Sequence, residues 1–153
     1  FCDEEVTNAV LSLKKEMAQK NRIRMEIAVW LPRNIPVEPL DLCSLFCNLL
    51  DNAIEACRRN RTLPGVISVK ADISGGYLIV KTENPCETPS PVSASSLGWL
   101  RTSKENPAEH GYGLKLIERI AEKYHGRMTI AREEQQVSVC VLLGVGAAAP
   151  LWS

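Results

Sequence analysis

Apolar and polar residues recur with two different periods along this chain, and the two periods separate predicted helices from predicted strands. Apolar residues spaced three or four positions apart predict helices at residues 4–20, 40–60 and from the glycines at 111–113 to 124. Near-alternation of apolar and polar residues predicts strands at residues 23–31, 66–73, 77–83, 127–132 and 137–143. In the first helix, the predicted apolar face consists of Val6, Val10, Leu13 and Met17.

Four of the five predicted strands form two hairpins. Ser74, Gly75 and Gly76 give a strong turn signal between the first pair, and residues 133–136 connect the second pair. Hairpins indicate a mixed, mostly antiparallel sheet, with the three helices on one face. The predicted fold class is therefore α+β, a two-layer α/β sandwich followed by a short tail at residues 144–153.

The helix predicted at residues 40–60 is apolar around most of its circumference but has one narrow polar stripe. The stripe consists of Asp41, Ser44, Asn48, Asp51, Asn52, Glu55 and Arg59. Such an apolar helix should be mostly buried, and an unpaired buried amide costs about 1–3 kcal/mol. The stripe should therefore face a polar cavity or a set of partners, although a partly exposed helix with a hydrated stripe fits equally well.

Gly111 and Gly113 precede the apolar period of the third helix, and we expect that helix to begin at the glycine pair. Glycine lets the backbone approach a ligand, and a helix N-terminus offers free N–H groups to an anion. Thr102 and Lys104 add a hydroxyl and a cation suited to phosphate. An ordinary turn and a solvated lysine are the alternatives. At the C-terminal end of this helix, Gly126 is predicted to take the left-handed backbone conformation that often follows a helix.

The stripe and the glycine pair together indicate a magnesium-nucleotide site, with side-chain oxygens for the metal and N–H groups for the phosphates. At 153 residues the chain is long enough for one domain with a real core. Its formal net charge of zero gives no support for nucleic-acid or membrane-surface binding. The six cysteines show no C-x-x-C spacing, which favours free thiols in a reducing, cytoplasmic setting. No signal peptide or membrane span is recognisable.

Two blocks of sequence carry a resemblance to a known family. They read LCSLFCNLLDNAIEAC at residues 42–57 and TSKENPAEHGYGLKLI at residues 102–117. In this order and spacing they resemble the ATP-binding catalytic domain of sensor histidine kinases, within the class shared with gyrase, the ninety-kilodalton heat-shock chaperone and the mismatch-repair ATPases. The likeness covers about residues 8–143 and is greatest to the peptide- and quorum-sensing kinases of Gram-positive bacteria. It implies the Bergerat-type ATP-binding fold.

The resemblance also implies roles for individual residues. Asn52 and Asn48 would be the catalytic and Mg²⁺-ligating amides, with Asn52 the stronger ligand. Asn48 stands where ATP-hydrolysing relatives have a glutamate that activates water, and an amide cannot act as a general base. The implied nucleotide-binding residues are Asn48, Asp51, Asn52, Asn84, Thr102, Lys104, His110, Gly111, Tyr112, Gly113 and Leu114.

Asn84 marks a departure from the family pattern. Related kinases have Asp-x-Gly-x-Gly after the central strand, and the aspartate accepts a hydrogen bond from adenine. Here the strand at 77–83 leads into Asn84 and Pro85, with no glycine pair. The amide oxygen of Asn84 can still accept an N–H, so adenine recognition is expected to survive. A simple turn signal that ends the strand is the alternative.

The segment at residues 87–109 begins with many Ser and Pro residues, which indicates irregular structure. The resemblance implies that this segment is a lid over ATP. The expected organisation is thus a catalytic domain at residues 1–143, including the lid, and a tail at 144–153.

The function implied by the resemblance is that of a protein-histidine kinase domain with ATP and Mg²⁺ as cofactors. It would deliver the γ-phosphate to a histidine on a dimerisation domain absent from this sequence, so the isolated chain should not autophosphorylate. The implied whole protein is a membrane-attached homodimeric sensor with a cytoplasmic catalytic domain and a response regulator as partner, without direct nucleic-acid contact. The alternatives are a degenerate, nucleotide-independent interaction module, and an ATP hydrolase or anti-sigma serine kinase of the same fold.

Overall fold

The computed structural model describes residues 1–86 and 107–146, with side chains for all of these except 107–112. The helices in these residues are α1 (Glu5–Lys20), α2 (Pro39–Arg59) and α3 (Pro107–Lys123). The strands are β1 (Arg24–Val29), β2 (Val66–Ser74), β3 (Tyr77–Pro85), β4 (Arg127–Glu133) and β5 (Gln136–Gly144). The predicted α+β fold, with a mixed five-stranded sheet and three helices, is confirmed.

The five strands form one sheet in the order β1-β2-β3-β5-β4. β1 is parallel to β2, and each of the other neighbouring pairs is antiparallel. The parallel pair follows from the connection, because α2 crosses over between β1 and β2. At the turn between β2 and β3, Gly75 (φ 59°) and Gly76 (φ 82°) take the left-handed conformation that a type I′ hairpin requires.

The core lies between one face of the sheet and the three helices. Val69, Val80 and Val141 of the three central strands are fully buried on this face, as are Phe46 and Leu50 of α2. Alternate residues of β1, β2 and β3 are more exposed, as the period of a half-covered strand requires. The wide apolar face of α2 therefore holds that helix on the sheet and fixes the direction of its polar stripe.

The buried face of α1 differs from the sequence prediction. Leu13 is 53% exposed and Met17 is 37% exposed, whereas Leu11 is fully buried. The buried residues of this helix are Thr7, Val10, Leu11, Lys14 and Ala18. The prediction chose the stripe with the larger apolar side chains, but the helix turns Lys14 inward, where its Nζ lies 2.7 Å from Asp51 Oδ1 of α2. The burial of Val10, Leu11 and Ala18 in the core sets the face of α1, and the ion pair satisfies the lysine that this packing buries.

The beginning of α3 also differs from the prediction. The helix starts at Pro107, so Gly111 and Gly113 lie inside it rather than at its N-terminus. Proline suits the first helical position because its missing N–H would have had no helical partner there. The N–H groups of the two glycines therefore fall within the i→i−4 hydrogen-bond ladder and are not the free donors that the sequence suggested.

The end of α3 corrects the role predicted for Gly126. The left-handed residue after the helix is His125, with φ 60°, and Gly126 is not left-handed. Glycine is required at 126 for space instead, since a Cβ there would collide with the carbonyl oxygen of Leu142 in β5. This close contact lets the chain turn directly from α3 into β4.

All six cysteines are free, as the sequence indicated. Within residues 1–86 and 107–146, every helix is too short or too polar to cross a lipid bilayer.

Candidate functional site

The middle of α2 carries the polar side chains of the candidate site. Asn48 and Asn52 are half-buried on the side of the helix away from its apolar face. Asn52 lines two separate hollows, one on each side of the polar stripe. Of the two possibilities left open by the sequence, the structure therefore favours a stripe that faces cavities.

Gly113 brings the backbone of α3 against these two amides. The Nδ2 of Asn48 donates to the Ser44 carbonyl oxygen at 2.7 Å, which orients the amide and leaves Oδ1 as its acceptor. A Cβ at position 113 would lie 3.2 Å from Asn48 Oδ1 and 3.8 Å from Asn52 Oδ1. Glycine thus lets the backbone of α3 pack against the two amide oxygens, where a side chain would press on Asn48 Oδ1. This close approach, rather than a free helix end, is what the structure assigns to the second glycine.

The first hollow, here called the inner cavity, lies between α2, β3, β5 and α3 and measures about 130 Å³. Its apolar lining includes Leu49, Ala53, Ala56, Leu114, Val137 and Val139. Asn52, Thr82 and Asn84 are among its polar lining residues. A mostly apolar cavity with a few convergent polar groups is typical of small-molecule sites. Its volume is below the roughly 300–1,000 Å³ of pockets that enclose a whole ligand, so it fits one part of a larger molecule.

Asn84 is a strand residue and not part of a turn. It belongs to β3, is paired with Val137 of β5, and is only 6% exposed. Its Nδ2 donates to the Pro85 carbonyl oxygen at 3.0 Å. Because that bond uses the donor side of the amide, Oδ1 is the group left to accept a hydrogen bond from a ligand in the inner cavity.

The second hollow, here called the outer hollow, lies on the α1 side of the stripe and measures about 310 Å³. Its lining residues are Lys14, Met17, Asn48, Asp51, Asn52, Ile54, Glu55 and Arg58. Asp51, which the sequence predicted to bind the nucleotide, lines this hollow and pairs with Lys14. Sequence reasoning missed Lys14, although Thr7, Leu11, Lys14 and Ala18 have a 4-3-4 spacing that is as helical as the predicted face.

The remaining predicted residues fall into three groups. Leu114 is buried and lines the inner cavity. Gly111 lies in the part of α3 that precedes Gly113. The predicted residues whose side chains fall outside the described part of the chain are Thr102, Lys104, His110 and Tyr112. The predicted lid at 87–109 likewise falls outside it, except for residues 107–109, whose backbone belongs to α3.

A different contact between α2 and the end of α3 lies away from both hollows. Tyr124 donates its hydroxyl to Asp41 Oδ2 at 2.6 Å and accepts the Glu38 backbone N–H at 3.0 Å. Lys123 Nζ lies 2.8 Å from both Glu38 Oε2 and Asp41 Oδ2. We call these four residues the Asp41 cluster. Burial tends to raise the pKa of Asp41, but the hydrogen bonds from Lys123 and Tyr124 outweigh it and hold that pKa below its usual value.

The cysteines of α2 have the properties of core residues. Burial raises the pKa of Cys57 to about 11, and burial together with the neighbouring Cys43 raises the pKa of Cys47. Only a thiolate is an effective nucleophile, so these thiols are unreactive near neutral pH. The chemistry of this site therefore depends on the amides and not on the cysteines.

The donor set at Asn48 and Asn52 fits a magnesium ion. Mg²⁺ prefers oxygen ligands and usually keeps several waters, so one or two protein oxygens are enough. Both Oδ1 atoms lie within 4 Å of the position that a Cβ of residue 113 would take, and both residues line the outer hollow of about 310 Å³, which has room for an ion and its waters. In the part of the chain that the structure describes, no three His, Cys, Asp or Glu residues come together as a metal cage. Any metal here would rely on amides, water and the ligand's own oxygens.

Comparison with solved structures relates this fold to histidine kinases. The catalytic domain of the histidine kinase ThkA superposes with a TM-score of 0.70 at 16% identity, over 93% of this chain and 91% of that one. The histidine kinase AdeS of Acinetobacter baumannii superposes with a TM-score of 0.64 at 14% identity, over 92% of this chain. This chain spans 64% of the AdeS chain. At these identities the likeness establishes the fold alone.

Comparison at the level of sequence identifies the family. A search of curated proteins found no match. The family profile described as "GHKL domain" matches residues 37–144, which include α2, both hairpins and α3. That match covers well over half of the chain, and the chain therefore belongs to the GHKL domain family.

Proposed function

We propose that this chain is the ATP-binding catalytic domain of a two-component sensor histidine kinase. The observation that carries the proposal is the position of Gly113 against the amide oxygens of Asn48 and Asn52, beside the inner cavity. GHKL domains bind ATP, and this arrangement offers one place for a base and another for phosphates.

The adenine ring would occupy the inner cavity. Its apolar walls exclude water, and the buried amide of Asn84 presents an acceptor for the exocyclic amine of the base. The hydrogen bond to the Pro85 carbonyl oxygen holds that amide in place. Asparagine therefore replaces the aspartate of related kinases without loss of the accepting oxygen.

The phosphates would extend from the inner cavity towards Asn48, Asn52 and Gly113. Asn52 and Asn48 would hold Mg²⁺ through their amide oxygens, and the ion would neutralise phosphate charge. Ser44 keeps the Asn48 amide in place through its carbonyl oxygen. An amide cannot remove a proton from water, so Asn48 supports transfer to a protein acceptor over hydrolysis.

The wider role rests on the sequence resemblance. The acceptor is a histidine on a separate dimerisation domain, and a response regulator then receives the phosphate. The whole protein is a membrane-attached homodimeric sensor of the peptide- and quorum-sensing subgroup, with this domain on the cytoplasmic side.

Isothermal titration with ATP and ADP in the presence of Mg²⁺ tests the proposal. Wild-type chain should bind with micromolar to millimolar affinity, and Asn52→Ala should weaken ATP binding by about tenfold or more, because a charge-assisted contact is lost. Asn34→Ala, an exposed asparagine outside both hollows, is the matched control and should bind like wild type.

The result also separates the rival functions. Absence of ATP and ADP binding at millimolar concentration would exclude the kinase domain and favour the nucleotide-independent module. Steady release of phosphate by the isolated chain would favour the hydrolase, and transfer to a serine of a partner protein would favour the anti-sigma kinase.

A further inference from the structure

Lys14 of α1 is a buried lysine at the edge of the candidate site. Its side chain is 10% exposed, whereas that of its partner Asp51 is 52% exposed. Lysine is rarely buried to this degree unless its charge is used or paired. Lys14 lines the outer hollow together with Asn48 and Asn52, and its ammonium group lies 2.7 Å from the carboxylate of Asp51, which lines the same hollow.

The ammonium group of Lys14 has donor capacity to spare. It carries three N–H donors. Among the described residues its contacts are Asp51 Oδ1 at 2.7 Å and the weak acceptor Met17 Sδ at 3.8 Å. One donor therefore remains for a ligand that enters the outer hollow.

The charges around the outer hollow single out Lys14 for this role. The carboxylates of Asp51 and Glu55 line the hollow, and a polyphosphate would add further negative charge. Arg58 also lines it, but the side chain of Arg58 is 56% exposed and lies beside Glu55, with 3.9 Å between Nη1 and Oε2. Lys14 is the better shielded cation, and a charge-assisted hydrogen bond is stronger where water is excluded.

We infer that Lys14 is a further phosphate-binding residue of this site, contributed by α1 and held in place by Asp51. This inference rests on the proposed function and extends it. It assigns to the outer hollow the phosphate end of the nucleotide, and it changes the role of Asp51 from a direct ligand contact to a residue that positions the lysine.

The test compares ATP with adenosine, which has no phosphates. Lys14→Met keeps the apolar stem and removes the charge, and it should weaken ATP binding by about tenfold or more while adenosine binding changes by less than about twofold. ATP is measured by isothermal titration with Mg²⁺, and adenosine by ligand-observed NMR. Lys20→Met, the same change at the exposed end of α1, is the matched control and should leave both ligands unaffected.

A second variant distinguishes a ligand contact from a merely structural ion pair. Asp51→Asn keeps an Oδ1 that can position the lysine but removes a negative charge beside the phosphates, so it should tighten ATP binding by about twofold to fivefold, the range expected for an exposed charge. A structural ion pair predicts the opposite pattern, in which Lys14→Met and Asp51→Asn weaken ATP and adenosine alike. Thermal unfolding of each variant shows how much of any change is due to stability.

The outcomes separate this inference from the function on which it rests. Suppose that wild type binds ATP. If Lys14→Met weakens the binding of ATP and adenosine to the same extent, or weakens the binding of neither, the inference is wrong and the proposed function stands. If wild type itself fails to bind ATP, both are wrong. Should Lys14→Met fail to fold, Lys14→Gln carries the same comparison with a polar side chain.

Discussion

Helices α2 and α3 meet at two places that are built in opposite ways. At the Asp41 cluster, four side chains and a backbone N–H satisfy one another with hydrogen bonds of 2.6–3.0 Å. At Gly113, the helices approach without a side chain between them, and the backbone of α3 packs against the oxygens of Asn48 and Asn52, two residues that also line the outer hollow. The first contact satisfies its polar groups within the protein, and the second places two amide acceptors at the edge of a hollow.

The largest effect that separates the two contacts is expected from Gly113→Ala. The added Cβ would lie 3.2 Å from Asn48 Oδ1 and displace that amide from its position, so ATP affinity should fall by about tenfold or more. The free energy of unfolding should change by less than about 1 kcal/mol, because alanine favours a helix interior over glycine and offsets the tight contact. Titration calorimetry and urea unfolding measure the two quantities.

Lys115→Ala, at an exposed position of the same helix, is the control for Gly113→Ala. It should leave ATP affinity as in wild type. Unchanged ATP affinity in Gly113→Ala would show that ATP binding does not depend on the contact between Gly113 and the Asn48 amide.

Tyr124→Phe should have the reverse effect, which is a loss of stability without a loss of ATP affinity. It removes the hydroxyl that bridges Asp41 and the Glu38 N–H, and the free energy of unfolding should fall by about 1–2 kcal/mol. ATP affinity should remain as in wild type, since the cluster lies outside both hollows. Tyr77→Phe, an exposed tyrosine of β3, is the matched control for urea unfolding. An equal loss of unfolding free energy in Tyr124→Phe and Tyr77→Phe would argue against a structural role for the Asp41 cluster.

Lys123→Met should destabilise the chain less than Tyr124→Phe does. The lysine lies at the surface, where water and salt screen its ion pairs with Glu38 and Asp41. The difference from wild type should shrink when unfolding is repeated in 1 M salt, where the Debye length is about 3 Å. A difference that is independent of salt would mean that the packing of the lysine stem, and not its charge, provides the stability.

Lowering the pH is expected to give the smallest difference between the Asp41 cluster and the contact at Gly113. The pKa of Asp41 is lowered in the folded state, so its contribution is present above the unfolded pKa of about 3.9 and is lost as the pH falls through the folded value. The difference in unfolding free energy between wild type and Asp41→Asn should therefore decrease from about pH 6 towards about pH 3. The amides of Asn48 and Asn52 do not titrate, so Asn52→Ala should show no such trend. A constant difference for Asp41→Asn would contradict the lowered pKa.

Much of the fold could be predicted because the strands and α2 have strong local patterns. The hairpin at Gly75 and Gly76 and the apolar circumference of α2 depend on neighbouring residues alone. The face of α1 could not be predicted, since two faces of this helix have the same spacing and only the packing of Leu11 and Ala18 in the core decides between them. The sequence places the start of α3 too late, because glycines weaken a helix and so indicate a boundary, whereas the helix begins at Pro107.

The geometry of the candidate site could be predicted in part, and for similar reasons. The stripe of α2 predicts that Asn48 and Asn52 lie together, because helical spacing places them on one side, and both line the outer hollow. The reason for glycine at 113 was different from the predicted one, since a close approach between two helices is visible only when both are placed. Lys14 was missed because a lysine in sequence is most often a solvated charge.

A crystal structure of the chain with Mg²⁺ and a non-hydrolysable ATP analogue tests the central claim most directly. We expect the adenine in the inner cavity with its amine on Asn84, and the phosphates beside Asn48, Asn52 and Gly113. A nucleotide bound elsewhere on the molecule, with only water bound to the amide oxygens of Asn48 and Asn52, would contradict the claim.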